Sequence, residues 1–212
     1  RTRLLALENT LGGRVIPLTY LNEATELAKS RGLATHLDGA RVFNAVVASN
    51  TDVAEMARPF DTISVCLSKG LGAPVGTVLV GEKDLIAKAR RHRKALGGAM
   101  RQVGILAAAG LYALEHNVER LREDHGNARR LADGFAKVPA LRVTMPDTNI
   151  VWVKVAPEHS EAFSAFVAAE GFGITGGYGG ASQRWVTHMD VDAAAVDRAI
   201  GAAERFFAKT RY

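Results

Sequence analysis

Two stretches of this chain place titratable residues where α/β proteins collect their reactive groups. The apolar run Thr62 to Leu67 leads into Ser68-Lys69-Gly70-Leu71-Gly72-Ala73-Pro74, and the run Leu33 to Leu37 leads into Asp38-Gly39-Ala40-Arg41. In open parallel sheets ligands bind just beyond the carboxyl ends of the strands. A lysine there, flanked by small and kinked residues, is within reach of a compact aldehyde cofactor. Desolvation favours its neutral, nucleophilic form. On spacing alone, a solvated lysine at a strand-to-turn junction is an equal reading. Asp38 could hold a cationic ring nitrogen by charge pairing, and it could equally cap a helix starting near Ala40. His36 lies two residues earlier on the same strand, hence on the same face as Asp38, and is expected to order that carboxylate by a hydrogen bond.

The elements that must position these residues follow from hydrophobic periodicity. Leu4 to Leu7, Leu33 to Leu37, Thr62 to Leu67 and Val75 to Val80 read as strands, and Leu18 to Arg31 and Lys83 to Leu96 have the helical period. This alternation implies βα units and a mainly parallel sheet. ISVCL and VGTVLV are continuous apolar runs, the pattern of strands buried on both faces. Gln102 to Lys137 is helical, with a bend near His116 and Asn117. Leu141 to Val143, Asn149 to Val155 and Arg184 to Thr187 then read as short strands, with helices over Ser160 to Ala169 and Val191 to Ala208. The expected organisation is therefore an α/β domain over residues 1–116 and a smaller α+β domain over 117–212. No internal repeat or low-complexity tract points to a scaffold protein.

Composition narrows the function classes. With 212 residues and 48% hydrophobic side chains the chain can bury a substantial core. No apolar run reaches the roughly 20 residues of a membrane-spanning helix. The single cysteine, Cys66, precludes an internal disulfide framework and reads as a buried small hydrophobe, so a reducing cytoplasm is the expected compartment. The net charge of +5 is concentrated in Lys88 to Lys94, but on a helix those cations fan round several faces and no aromatics interleave to stack bases. Neither a nucleic acid nor a membrane is expected as a partner. His92, His116, His125 and His159 have no metal-ligand spacing, and no metal is expected. His188 and Asp190 have adequate capping and packing roles. Gly176-Gly177-Tyr178-Gly179-Gly180 is expected to be a turn rather than a phosphate loop, because it neither follows a βα strand nor opens a helix with lysine.

HLDGARVFNAVVA (His36 to Ala48), SVCLSKGLGAPVG (Ser64 to Gly76), RKALGGAMRQ (Arg93 to Gln102) and LREDHGNARRLA (Leu121 to Ala132) resemble the low-specificity L-threonine aldolases. LENT (Leu7 to Thr10) and Val186-Thr187-His188-Met189-Asp190 extend the resemblance along essentially the whole chain. The resemblance implies the aspartate-aminotransferase-like fold type I and pyridoxal phosphate as cofactor. It implies retro-aldol cleavage of L-threonine or L-allo-threonine to glycine and acetaldehyde, and a homotetramer built from dimers.

Residue by residue, the resemblance makes Lys69 the Schiff-base lysine and Asp38 the partner of the pyridinium nitrogen, with Ser68 and His36 also at the cofactor. Arg41 would lie near the cofactor phenolate oxygen and the substrate carboxylate, and Arg184 would grip that carboxylate. Lys94 and Arg101 match basic residues near the phosphate and subunit contacts, although a solvated helical face explains them as well. Family members begin with a segment that binds the phosphate and stacks on the ring, and the expectation is that this sequence lacks it. The alternatives are another fold-type-I lyase, such as a phenylserine aldolase or a β-eliminating lyase, and an inactive fragment serving as an oligomerisation module.

Overall fold

The structure is a computed structural model that describes residues 1–174 and 182–209. Two compact units form, Arg1–Leu121 and Arg122–Tyr212.

The first unit is built on a four-stranded sheet in the order β1 (Leu4–Glu8), β2 (Ala34–Gly39), β3 (Thr62–Cys66), β4 (Thr77–Gly81). α1 (Leu18–Ser30) connects β1 to β2, and α2 (Val42–Ser49) with α3 (Val53–Ala57) connects β2 to β3. Both connections are long enough for a crossover, and both strand pairs are parallel. Leu21, Leu37, Val42, Ala45, Met56 and Ile63 form the core between these helices and one face of the sheet. Burying a side chain such as Leu37, which is fully enclosed, stabilises the unit by about 1.5–3 kcal/mol. The register at the sheet's start is held by Asp61, whose carboxylate accepts from the Thr35 backbone N–H at 2.7 Å and from its hydroxyl at 3.1 Å.

The strand expected over Val75 to Val80 forms as β4, but its neighbours differ from expectation. It runs antiparallel to β3 and is exposed along its whole length. The link over residues 67–76 is too short for a parallel crossover, and Gly72 (φ 73°) and Gly76 (φ 127°) let it turn back. α4 (Lys83–Ala95) packs on β4 and buries none of its residues, and α5 (Gly104–His116) follows it.

The second unit contains α6 (Leu121–Phe135), whose first residue belongs to the preceding unit, and an antiparallel sheet in the order β5 (Leu141–Thr144), β6 (Ile150–Val155), β7 (Ser182–Val186). α7 (Pro157–Ala169) and α8 (Ala193–Lys209) complete it. Val151, Val153 and Trp185 face the core with Phe135, Phe163 and Phe207, while Trp152 and its register partner Arg184 take the opposite face by alternation. The glycine-rich run Gly176–Gly180 lies outside the described residues. Among the described residues no helix is long and apolar enough to cross a membrane.

Candidate functional site

β1, β2 and β3 all present their carboxyl ends along one edge of the first sheet, and each is followed by a turn that local bonds hold in place. After β1, Asn9 is fully buried; its side chain accepts from the Ile16 N–H at 3.1 Å and donates to the Ile16 carbonyl at 3.2 Å. Its own N–H donates to the Asp38 carbonyl at 3.1 Å, tying this turn to the next strand. After β2, Asp38 Oδ1 accepts from the Ala40 N–H at 3.0 Å. α2 begins only at Val42 with Arg41 at its cap position, so Asp38 is not a helix cap. Its second carboxylate oxygen has no partner among the described residues, and its side chain is exposed.

After β3, the turn bearing Lys69 is closed by the Leu67 N–H donating to Gly76 O (2.9 Å) and the Gly72 N–H donating to Lys69 O (2.9 Å). Asn117 Nδ2 donates to Leu71 O at 2.8 Å, pinning the turn from the end of α5. A Cβ added at Gly70 would approach Leu121 Cδ2 to 2.8 Å, so any larger residue beside Lys69 would force the buried Leu121 side chain to shift. Gly39, Arg41, Asn44, Cys66, Gly70 and Leu71 line a hollow of about 10 Å³ between the β2 and β3 ends, room for about one water.

One face of the sheet is taken by α1, α2 and α3; the other carries the polar side chains. Register places Glu8, Asp38 and Ser64 in one row across β1, β2 and β3, and Ala6, His36 and Thr62 in another. His36 was expected to bond Asp38. Instead its Nδ1 lies 2.8 Å from Thr62 Oγ1 and its Nε2 lies 3.4 Å from Ser64 Oγ, so the ring bridges sideways to β3. Lateral neighbours across a parallel pair are nearer than residues two apart on one strand.

A model of the beta-eliminating lyases matches residues 1–158. The chain belongs to the beta-eliminating lyase family. Within that family it is 49% identical over 191 residues to the low specificity L-threonine aldolase of Escherichia coli strain K12, a match covering 90% of this chain and 56% of that protein. It is 45% identical over 157 residues to low-specificity L-threonine aldolase 1 of Arabidopsis thaliana, covering 72% and 44%. The chain thus spans about half the length of the curated relatives it matches. A Leishmania major threonine aldolase structure superposes with a TM-score of 0.81 at 20% identity, over 97% of this chain and 61% of that one, a likeness of fold.

Pyridoxal phosphate, implied by the sequence motifs, fits the residues present at this edge. A carboxylate with a free oxygen stands at the β2 end, and an amine with no partner among the described residues follows the neighbouring parallel strand. The face above them is exposed or half-buried, leaving room for a flat ring. Lys69 and Ser68 are both exposed in this chain, so nothing within it supplies the desolvation expected of Lys69.

The other expected residues are more dispersed. Arg41 lines the hollow beside Asp38. Lys94 and Arg101 are exposed, Lys94 on α4 and Arg101 after it, and α4 packs on the edge strand two strands from β2. Arg184 belongs to the second unit, half-buried and without a hydrogen-bond or ion-pair partner among the described residues. Sequence reasoning passed over Asn9, Asn117, Thr62, Ser64 and Glu8. Only alternation along Leu4–Glu8 could have placed Glu8 on a defined face, and its alignment with Asp38 needed the register.

Proposed function

We propose that the protein is a pyridoxal-phosphate aldolase that cleaves L-3-hydroxy-α-amino acids, threonine or allo-threonine, to glycine and an aldehyde. The observation that carries this reading is the pairing of a carboxylate with one free oxygen, Asp38, with a free amine, Lys69, at adjacent parallel strand ends.

Held through Lys69, the cofactor supplies an electron sink for the pair released when the Cα–Cβ bond breaks. Asp38 offers its free oxygen to the cationic ring nitrogen and so keeps that proton in place. The bridge from His36 to Thr62 and Ser64 fixes the strand spacing beneath it. Arg41, from the turn after Asp38, is assigned to the phenolate side and the substrate carboxylate, and Ser68 to the turn that holds the cofactor. Lys94 and Arg101 supply positive charge for a phosphate. Arg184 is assigned to the substrate α-carboxylate, for which a planar fork of donors is suited. Lys69 Nζ would be the amine that holds the cofactor between turnovers. The full assembly is a homotetramer in the cytoplasm.

The test is the full-length protein incubated with pyridoxal phosphate and L-threonine. Glycine and acetaldehyde should appear in equal amounts, and Lys69→Ala should abolish both the visible cofactor band and turnover. Release of ammonia and a keto acid in their place would refute the aldolase reading and leave β-elimination.

A further inference from the structure

Glu8 is the register partner of Asp38, and the two strands lie roughly 4.8 Å apart, so the two carboxylates stand side by side on the polar face. Like charges directly opposite on neighbouring strands destabilise a sheet. Neither carboxylate has a cationic partner among the described residues, although the chain carries a formal charge of +5. Glu8 is half-buried, and the strand end is fixed by the Asn9 N–H bond to the Asp38 carbonyl, so the two backbones cannot draw apart. Placements that break a local rule and are rigidly supported mark functional positions.

We infer that Glu8 is a positioning residue that acts through Asp38: its charge adds to the negative field at the β1–β2 end and favours the protonated, cationic form of the bound cofactor. The inference rests on the pyridoxal-phosphate reading. It deepens it by making the cation holder a two-carboxylate device in which Asp38 makes the contact and Glu8 reinforces the field. The other titratable or charged groups at this edge are Arg14 in the turn after β1, which has a partner of its own, His36 on β2, Cys66 at the end of β3, Lys69 after it and Arg41 after β2, and β4 contributes none. His36 is engaged with Thr62 and Ser64, and Arg41 has a partner of its own, which leaves Glu8 as the carboxylate beside Asp38.

The test uses the full-length holoenzyme, with Glu8→Gln and Glu8→Asp made in parallel with Asp38→Asn. Two readouts other than turnover are taken: the pH midpoint of the bound cofactor's absorbance change, and the Kd for pyridoxal phosphate added to stripped protein. Glu8→Gln should lower the midpoint by about half to one pH unit, as expected for losing one charge a strand's width away, and raise Kd several-fold. Glu8→Asp should restore most of both. An unmoved midpoint in Glu8→Gln, with Asp38→Asn shifted, would overturn this inference and leave the cofactor reading standing. Equal losses of cofactor and thermal stability in both Glu8 variants, with no midpoint shift, would show a structural role and overturn it too. Absence of any cofactor band in the unmodified protein would overturn the underlying reading and this inference together.

Discussion

Asn9→Ala should be among the most damaging single changes in the first unit. The side chain is fully enclosed and makes two hydrogen bonds to Ile16, accepting from its N–H at 3.1 Å and donating to its carbonyl at 3.2 Å, besides a weak donation to Met56 Sδ at 3.6 Å. Truncation removes both bonds and leaves a backbone donor and acceptor without partners in a half-buried turn. Each loss costs about 1 kcal/mol net, and more where the abandoned group stays shielded from water, so the sum is about 2–4 kcal/mol. That is a large fraction of the roughly 5–15 kcal/mol by which a domain is stable. With a urea slope of about 2 kcal/mol/M, the denaturation midpoint should fall by about 1–2 M at unchanged slope. Asn9→Asp separates the two bonds, because it keeps an acceptor for the Ile16 N–H but faces the Ile16 carbonyl with a second acceptor and buries a charge. It should be no better than alanine. Since the Asn9 N–H also bonds the Asp38 carbonyl, both variants should bind pyridoxal phosphate more weakly. A midpoint change under about 0.3 M in Asn9→Ala would refute the view that this turn is held by its asparagine.

Three further changes probe other parts of the molecule. Gly70→Ala sets a Cβ 2.8 Å from the fully buried Leu121 and should cost about 1–3 kcal/mol by overpacking, with loss of cofactor as the Lys69 turn shifts; a neutral effect on both would show that Leu121 repacks freely. Arg184→Lys should raise KM for threonine and lower kcat, together by about 10-fold or more in kcat/KM with cofactor content unchanged, whereas unchanged kinetics would leave Arg184 an ordinary strand residue. His125 on α6 is pushed down to about 4, first by burial and then by the Arg122 charge. Its folded state therefore disfavours the proton that the unfolded chain takes up near 6.5, so its contribution is intact above about pH 6.5 and is lost as pH falls towards 4. Allowing for its partial exposure, that loss is about 1–2 kcal/mol, and His125→Gln should flatten stability against pH across this window in chemical denaturation.

Much of the fold was legible because strand and helix periods here are clean. Leu4–Glu8, Ala34–Gly39 and Thr62–Cys66 fall where apolar runs predict strands, and α1 and α4 fall where the helical period does. What periodicity could not give was the partner of each face. TVLVG reads as a doubly buried strand, yet it is exposed throughout, because an apolar run records what a strand can bury and not what lies against it. Its direction was legible in principle, since residues 67–76 leave no room for a crossover helix. The short α3 escaped notice because five residues hold too little of the period; Asp52, whose carboxylate accepts from the Ala54 and Glu55 N–H groups, was its available signal.

For the site, residue types were easier to read than the environments that tune them. Asp38 and Lys69 stand out in the sequence because strand ends in parallel sheets are where chemistry collects, and the structure sets Asp38 at the end of β2 and Lys69 in the turn after the neighbouring β3. Desolvation of Lys69 is not carried by the apolar run before it, since a strand's own hydrophobicity buries the strand, not the residues past its end; in this chain, about half the length of its relatives, Ser68 and Lys69 are exposed on the turn. The same reasoning misdirected His36. Alternation put it on Asp38's face, but two steps along a strand span about 6.6 Å while a neighbouring strand is about 4.8 Å away, so its ring reaches Thr62 and Ser64 first. Lateral register, which no single strand's sequence carries, therefore decides which polar groups meet on this face, and it is register alone that sets Glu8 beside Asp38.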